Sequence, residues 1–303
     1  MMKLGIIGIG DIAKKAYLPV ISKLANVEMH VFTRNTEVLR EISNQYRYPN
    51  THSSLTSIIE SGIKGAFVHS STESHENIVR ELLQNGIHVY VDKPITYHLE
   101  TTKELVELAE NKGLILMTGF NRRFAPFYRT MAEVDEPTMI IMQKNRHALP
   151  GTIRAFVYDD FIHVLDTVRY VFKDEIEDIT VHGRVMNGLL YHVVVQLISK
   201  ATTGLAIMNR DSGAVEEKLE VMGPKEKRVV HDLDQLTILR DQEVIVKSFA
   251  NWDSTLYKRG FEQIVAEFID AITTNQFPSI TARDSLRTHE ICEHIVEQLE
   301  RLV

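Results

Sequence analysis

Two groups of side chains in this sequence are of types that move protons or hold charge, and a third stretch is spaced to receive a ligand. Lys93 stands between Asp92 and Pro94, just after the apolar run 88–91. A lysine fixed there could hydrogen-bond an oxygen and stabilise charge developing on it; an exposed loop lysine is the plainer reading. His163 follows Asp159 by four residues and precedes Asp166 by three. On an α-helix from about 159 to 172 these residues and Tyr170 share one stripe, since successive residues turn by about 100°. Carboxylates there could orient the imidazole and tune it for proton transfer. Equally, an amphipathic helix turns such a stripe to water while Phe161, Val164, Leu165, Val168 and Phe172 are buried on its other face, and spacing leaves both readings open.

The third stretch is Gly8, Gly10 and Ala13, spaced G-x-G-x-x-A immediately after the apolar run 4–7. It reads as the phosphate-binding turn of a dinucleotide fold. Gly8 permits the tight turn out of the strand, Gly10 lets the backbone approach a pyrophosphate, and Ala13 lets the next helix pack on the sheet. The unsatisfied amides at that helix start would face the ligand.

The elements that must position these groups alternate at first. A helix at 12–24, bent at Pro19, leads to a strand at 28–32 that ends in Thr33-Arg34-Asn35. No acid ends that strand to take a ribose hydroxyl, and an arginine there suits a 2′-phosphate, so NADP is expected, with NAD possible. The alternative is that Arg34 sits in a solvated loop, with Asn35 or Thr36 as N-cap of the helix to Tyr46. Strands at 65–69 and 88–91 follow. The first leads into Ser70, Ser71, Thr72 and, further on, His75, a polar loop expected to border the cofactor because open parallel sheets bind ligands at the carboxyl ends of their strands. His75 itself reads more readily as structural. A helix at 99–111 and a fifth strand at 114–118 complete a doubly wound parallel sheet.

After Gly119-Phe120-Asn121-Arg122-Arg123-Phe124 the pattern changes. A strand at 138–144 and the long helix precede strands near 179–183, 189–198, 204–210, 218–222, 228–231, 236–239 and 244–249. Their short connections suit hairpins, so this sheet is expected to be mainly antiparallel. Helices at 261–273 and 283–302 close the chain. The expected organisation is a dinucleotide-binding Rossmann domain at 1–119 and a substrate-binding and oligomerisation α+β domain at 120–303.

Composition narrows the functional classes. A chain of 303 residues suits two domains, and 44% hydrophobic with 25% charged residues is ordinary for a globular protein. A net charge of −7 argues against nucleic acid or an anionic membrane as main partner, although a local basic patch could still bind phosphates. Cys292 is the single cysteine, which excludes an intrachain disulfide and a cysteine-based zinc site and fits a reducing cytoplasm. No metal is expected. The first apolar run is short, glycine-broken and followed by Asp11, Lys14 and Lys15, unlike a signal peptide, and no apolar stretch approaches a membrane span.

Together these residues resemble the glucose-fructose oxidoreductase / inositol dehydrogenase / rhizopine-catabolism (Gfo/Idh/MocA) family over nearly the whole chain. The resemblance rests on Gly8-Ile9-Gly10-Asp11-Ile12-Ala13, Asp92-Lys93-Pro94, the run 119–124, and Asp159-x-x-x-His163-x-x-Asp166. It implies that Lys93 matches the family's active-site lysine, His163 its catalytic histidine and Asp159 the acid four residues before it. It also implies a second domain whose open sheet often mediates oligomerisation, here to a homodimer or homotetramer. Cofactor contacts are expected from Gly8, Gly10, Asp11, Ile12, Ala13, Thr33, Arg34, Ser70, Ser71, Thr72, His75, Asp92, Lys93 and Pro94. Substrate contacts are expected from Lys93, Asn121, Arg123, Asp159 and His163, with Arg146 and Arg259 as further candidates. Two departures stand out: Asp92 where glutamate is commoner, and residues 155–162 in place of a glycine-rich approach to the histidine helix. The latter leaves the substrate open.

The expectation is an NADP-preferring oxidoreductase moving hydride between nicotinamide and a carbinol or carbonyl carbon of a sugar, polyol or related molecule. The alternative is a cofactor-binding sensor or regulatory subunit without turnover, since the family contains such members. An S-adenosylmethionine-dependent methyltransferase shares the glycine-rich turn but explains neither Asp92-Lys93-Pro94 nor the histidine helix.

Overall fold

The computed structural model describes residues 1–301; position 302, where the last helix was expected to end, lies outside them. The chain groups into two compact units.

The first unit comprises Met1–Gly119 and Phe261–His289. Its sheet runs β3-β2-β1-β4-β5-β6, all parallel, with β1 at Met2–Ile7, β2 at Val27–Phe32, β3 at Asn50–His52, β4 at Gly65–Val68, β5 at His88–Val91 and β6 at Leu116–Thr118. β4 is buried throughout and β1 and β5 nearly so, as expected of parallel strands covered on both faces. β3 is the strand sequence patterning missed. It is short and polar and has no apolar run. Its identity comes from pairing with β2, reinforced by a 2.8 Å contact between His30 Nδ1 and His52 Nε2.

The chain order reverses between β1 and β4, where a doubly wound sheet opens a crevice. The first helix, expected to be bent or divided at Pro19, changes type just before it: Ala13–Tyr17 is π-helical and Leu18–Ile21 α-helical.

The expected second domain, unbroken from 120 to 303, does not describe the contacts of 261–289. Those residues pack with the first unit because the apolar stripe of the helix Phe261–Thr274 meets the aromatic underside of its sheet. Phe268 lies 5.1 Å from Phe67 and 5.7 Å from Tyr90, and Phe261 lies 5.3 Å from Tyr17, ring centre to ring centre. The helix Ala282–Glu300 contributes its first half to this unit.

The second unit comprises Phe120–Gly260 and the residues from Glu290 onward. Its eight strands are β7 (Met139–Asn145), β8 (Asp178–Met186), β9 (Leu189–Ile198), β10 (Thr203–Asn209), β11 (Glu216–Met222), β12 (Lys227–His231), β13 (Gln235–Arg240) and β14 (Glu243–Ser248). They lie in the order β14-β13-β12-β11-β7-β10-β9-β8. Every pairing is antiparallel except β7 with β10. Burial alternates along β10, the period-two pattern of a sheet covered on one face.

The covering element is the histidine helix, which packs on β7 and β10. It begins earlier than its periodicity suggested: Ile153–Phe156 is α-helical, Val157–Phe161 π-helical and Ile162–Val171 α-helical. Phe161, Val164, Leu165, Val168 and Phe172 are buried as the amphipathic pattern requires.

Candidate active site

In the first unit, Ile7 ends β1 and Gly8 turns with φ of 84°. A Cβ on Gly8 would stand 2.5 Å from the Ser70 amide nitrogen, so the loops after β1 and β4 touch only because this residue is glycine. Gly10 differs. A Cβ there would meet nothing closer than the His69 carbonyl at 3.6 Å, so the protein itself does not require glycine, whereas a pyrophosphate approaching the backbone would.

Gly8 and Gly10 open onto a cavity of about 410 Å³ that Thr33, Arg34, Ser70 and Ser71 also line. Two polar side chains in its wall are buried without partners among the described residues. These are Ser70, through Oγ, and His69, through Nε2, its Nδ1 standing 3.4 Å from Asp92 Oδ2 without a hydrogen bond. A buried polar atom without a hydrogen bond is costly unless a ligand or water supplies one. The open glycine and these atoms fit a dinucleotide at this switch point.

Among the expected cofactor contacts, Asp11, Ile12, Ala13, Thr72, His75, Asp92, Lys93 and Pro94 stand outside this lining. Asp11 pairs with Lys15 at the surface, Ile12 is exposed, and Ala13 is fully buried, where it lets the first helix pack. Asn35 caps the next helix, accepting from the amides of Glu37 and Val38; Arg34 is exposed beside it at the cavity rim.

His75 has the structural place its sequence context suggested. It is buried between two loops, with Nδ1 3.0 Å from the Pro94 carbonyl and Nε2 3.1 Å from the Ser70 carbonyl. Burial lowers its pKa against the pull of those carbonyls and Asp92. The loop Asp92-Lys93-Pro94, whose Lys93–Pro94 peptide is cis, is held from below as well. The Ile95 amide donates to His289 Nε2 at 3.0 Å, while His289 Nδ1 donates to the Ser285 carbonyl at 2.8 Å. Both partners being defined, the ring's tautomer is assigned.

Asp92 leads into a buried aromatic group that the sequence did not announce. Tyr17 stacks on His69 at 3.9 Å, shares a 2.7 Å hydrogen bond with Tyr90, and donates to Asp92 at 3.4 Å. Burial, then the Asp92 charge, push both phenols well above their usual range, so they remain neutral donors. Tyr17, His69 and the Tyr90–Asp92 end of β5 come from three separate parts of the chain, which no local spacing connects.

In the second unit, Asp159 lies in the π-helical turn and His163 in the α-helix just after it. π-Helical turns recur at functional sites. Both side chains are partly exposed, and the Thr167 hydroxyl holds the His163 carbonyl at 2.7 Å. Asp166 corrects the expectation of a wholly water-facing stripe. It is 1% exposed and takes both Nε and Nη2 of Arg123, at 2.8 and 2.6 Å.

Arg123, one of the expected substrate contacts, thus holds a buried ion pair through Nε and Nη2. Asn121 likewise is buried and donates to the Arg259 carbonyl at 2.8 Å. Asp160, beside Asp159, was not singled out from sequence. It is bound by Lys144 and, at 3.3 Å, by Arg146. Burial pushes its carboxyl pKa up, but the two cations outweigh that and hold it well below the usual range. Arg122 chelates Glu217 through two 2.7 Å bonds, and Tyr128 donates to the same carboxylate at 3.0 Å.

A parallel sheet of order 3-2-1-4-5-6 with a glycine cradle and a cavity at its switch point defines a dinucleotide-binding protein. The chain belongs to the oxidoreductase family with an NAD-binding Rossmann fold, Gfo/Idh/MocA, whose model matches residues 2–120. A YceM-like C-terminal domain model matches residues 126–241. YceM of Salmonella typhimurium is 30% identical over 99% of this chain and 97% of its own length. A Gfo/Idh/MocA family oxidoreductase from Vibrio cholerae is 30% identical with a TM-score of 0.94, covering 100% of this chain and 99% of that one. Myo-inositol 2-dehydrogenase of Thermotoga maritima is 22% identical over 93% of this chain and 92% of its own length. The protein is an NAD(P)-dependent dehydrogenase or reductase.

Exchange of Gly10 for alanine tests the cradle without confounding stability. Gly10→Ala is expected to retain the wild-type melting temperature and lose about tenfold or more in nucleotide affinity, read by fluorescence titration. Unchanged affinity would place the pyrophosphate elsewhere.

Proposed function

We propose that this protein is an NADP-preferring dehydrogenase acting on a carbinol or carbonyl carbon of a sugar, polyol or related small molecule. The observation that carries the cofactor choice is the cavity rim. Thr33 and Arg34 stand where β2 ends, and no carboxylate is among the described lining residues. A carboxylate there would accept from a ribose hydroxyl and repel a 2′-phosphate, whereas an exposed guanidinium favours the phosphate. The substrate class is supported by the myo-inositol 2-dehydrogenase relative.

When bound, the nicotinamide supplies the hydride acceptor or donor. In oxidation His163 takes the substrate hydroxyl proton, and in reduction it returns it. Lys93 donates a hydrogen bond to the reacting oxygen and stabilises charge there. Asp159 positions substrate or imidazole. The buried contacts of Asp92 with Tyr17 and His69, and of Ile95 with His289, support this assignment by fixing the backbone on both sides of Lys93. The expected assembly is a homodimer or homotetramer through the second unit's sheet.

Titration with both reduced nucleotides tests the cofactor choice. NADPH is expected to bind about tenfold or more tightly than NADH, and Arg34→Ser to remove most of that difference while leaving NADH affinity unaltered. Tighter binding of NADH by the wild type would overturn the preference. A screen of sugars and polyols with the preferred nucleotide tests the reaction, and nucleotide binding without turnover on any of them would favour a sensor.

A further inference from the structure

Strands β7 and β10 are the one parallel pair in the second sheet, in register to Asn145 opposite Asn209. The next residue on each is an arginine, and the Arg146 amide donates to the Asn209 carbonyl at 2.8 Å. The two chains therefore leave the sheet side by side, carrying Arg146 and Arg210 out at the same edge. The π-helical turn with Asp159 and Asp160 borders the same edge, since Asp160 binds both Lys144, on β7, and Arg146.

The two arginines are not equivalent. Arg146 has Asp160. The Arg210 guanidinium lies 4.9 Å over the Phe156 ring, on the turn before Asp159, and near Gly151. Among the described residues its buried Nε has no hydrogen-bond partner, and no carboxylate stands within ion-pair distance of it. Burial lowers its pKa, and the charges it feels are those of Asp160, Arg146 and Asp159. A buried donor without an acceptor is costly, and here it belongs to a cation. The Phe156 ring beneath Arg210 Cζ gives the guanidinium a cation–π contact, and a guanidinium fork suits bidentate contact with carboxylate or phosphate oxygens. Asp160 pairs with Lys144 and Arg146 rather than with Arg210.

We infer that the substrate carries an anionic group, a carboxylate or a phosphate, that Arg210 binds with help from Arg146. This rests on the dehydrogenase reading above and narrows its substrate from neutral polyols to acidic or phosphorylated ones. A sugar acid or sugar phosphate would place its charged end on Arg210, with its hydroxyls toward the turn that bears Asp159.

The test is calorimetric titration of the full chain, saturated with NADPH so that Arg34 is engaged. The probes are D-glucuronate, D-glucose 6-phosphate, inorganic phosphate and neutral D-glucose, each against wild type, Arg210→Gln and Arg210→Lys. At least one anionic probe is expected to bind about tenfold or more tightly than D-glucose. Arg210→Gln should abolish that advantage, and Arg210→Lys should retain part of it through charge alone. The glucuronate and glucose 6-phosphate arms tell which anion is preferred. Equal affinity for D-glucose and all three anions, no anion binding at all, or anion binding indifferent to Arg210→Gln would each overturn the inference. Circular dichroism of Arg210→Lys keeps the comparison valid if the glutamine variant unfolds. The dehydrogenase reading fails separately: Arg210-dependent anion binding without turnover removes the reaction and leaves the anion site, whereas turnover of neutral polyols with no anion preference does the reverse.

Discussion

Replacing His163 with alanine is expected to lower kcat by about 10²–10⁴-fold, the usual contribution of one general acid or base, while nucleotide affinity stays at the wild-type value. The side chain is partly exposed on a helix otherwise buried along its apolar face, so truncation opens no large cavity. The glycine cradle is formed wholly by the first unit, so the nucleotide should not sense the change. The pH profile separates a proton-transfer role from a steric one. In the oxidative direction the base must be unprotonated, so wild-type kcat/KM rises with pH along its acidic limb and that limb flattens in His163→Ala. A variant that retained both kcat and the limb would assign proton transfer to another group. Lys93→Ala, measured in parallel, should lower kcat without flattening the limb, since lysine stabilises charge in this scheme rather than accepting the proton.

Replacing Asp166 with alanine is expected to destabilise the chain by about 3–5 kcal/mol, the cost of breaking a buried ion pair from one side. Asp166 is 1% exposed and Arg123 9% exposed. The guanidinium also lies 5.8 Å from the Phe120 ring centre and 5.7 Å from that of Tyr170, so it cannot swing readily to water. Urea denaturation should show a lower midpoint with an unchanged m-value. Arg123→Met combined with Asp166→Leu should recover most of the loss, because an apolar pair of similar volume removes the stranded charge along with its partner. The double variant also tests Arg123 as a substrate contact. If it regains stability yet its KM rises tenfold or more, Arg123 contacts substrate after all.

The parts legible in sequence share one property: a local pattern specifies them. The apolar run 4–7, the glycine spacing behind it, and the short connections between the strands of the second sheet each reflect a pattern or turn within a few residues. The strands and the phosphate loop therefore stood where patterning put them. β3 did not, because a polar edge strand exists only through its neighbour.

The site divides along the same line. By itself the sequence determined the glycine cradle, the position of Lys93 after a buried strand, and the Asp159–His163 spacing, all consequences of backbone geometry over one or two turns. Tertiary structure alone decided which charges are neutralised and which remain available. It gave Asp166 to Arg123 across 43 positions, shared Asp160 between Lys144 and Arg146, and left Arg210 stacked on Phe156 without a counter-ion. It also brought Ser70 against Gly8 and packed 261–289 with the first unit. The reason is physical: hydrophobic periodicity is read from neighbours along the chain, whereas the partner of a buried charge is whatever opposite charge folding brings within about 3 Å.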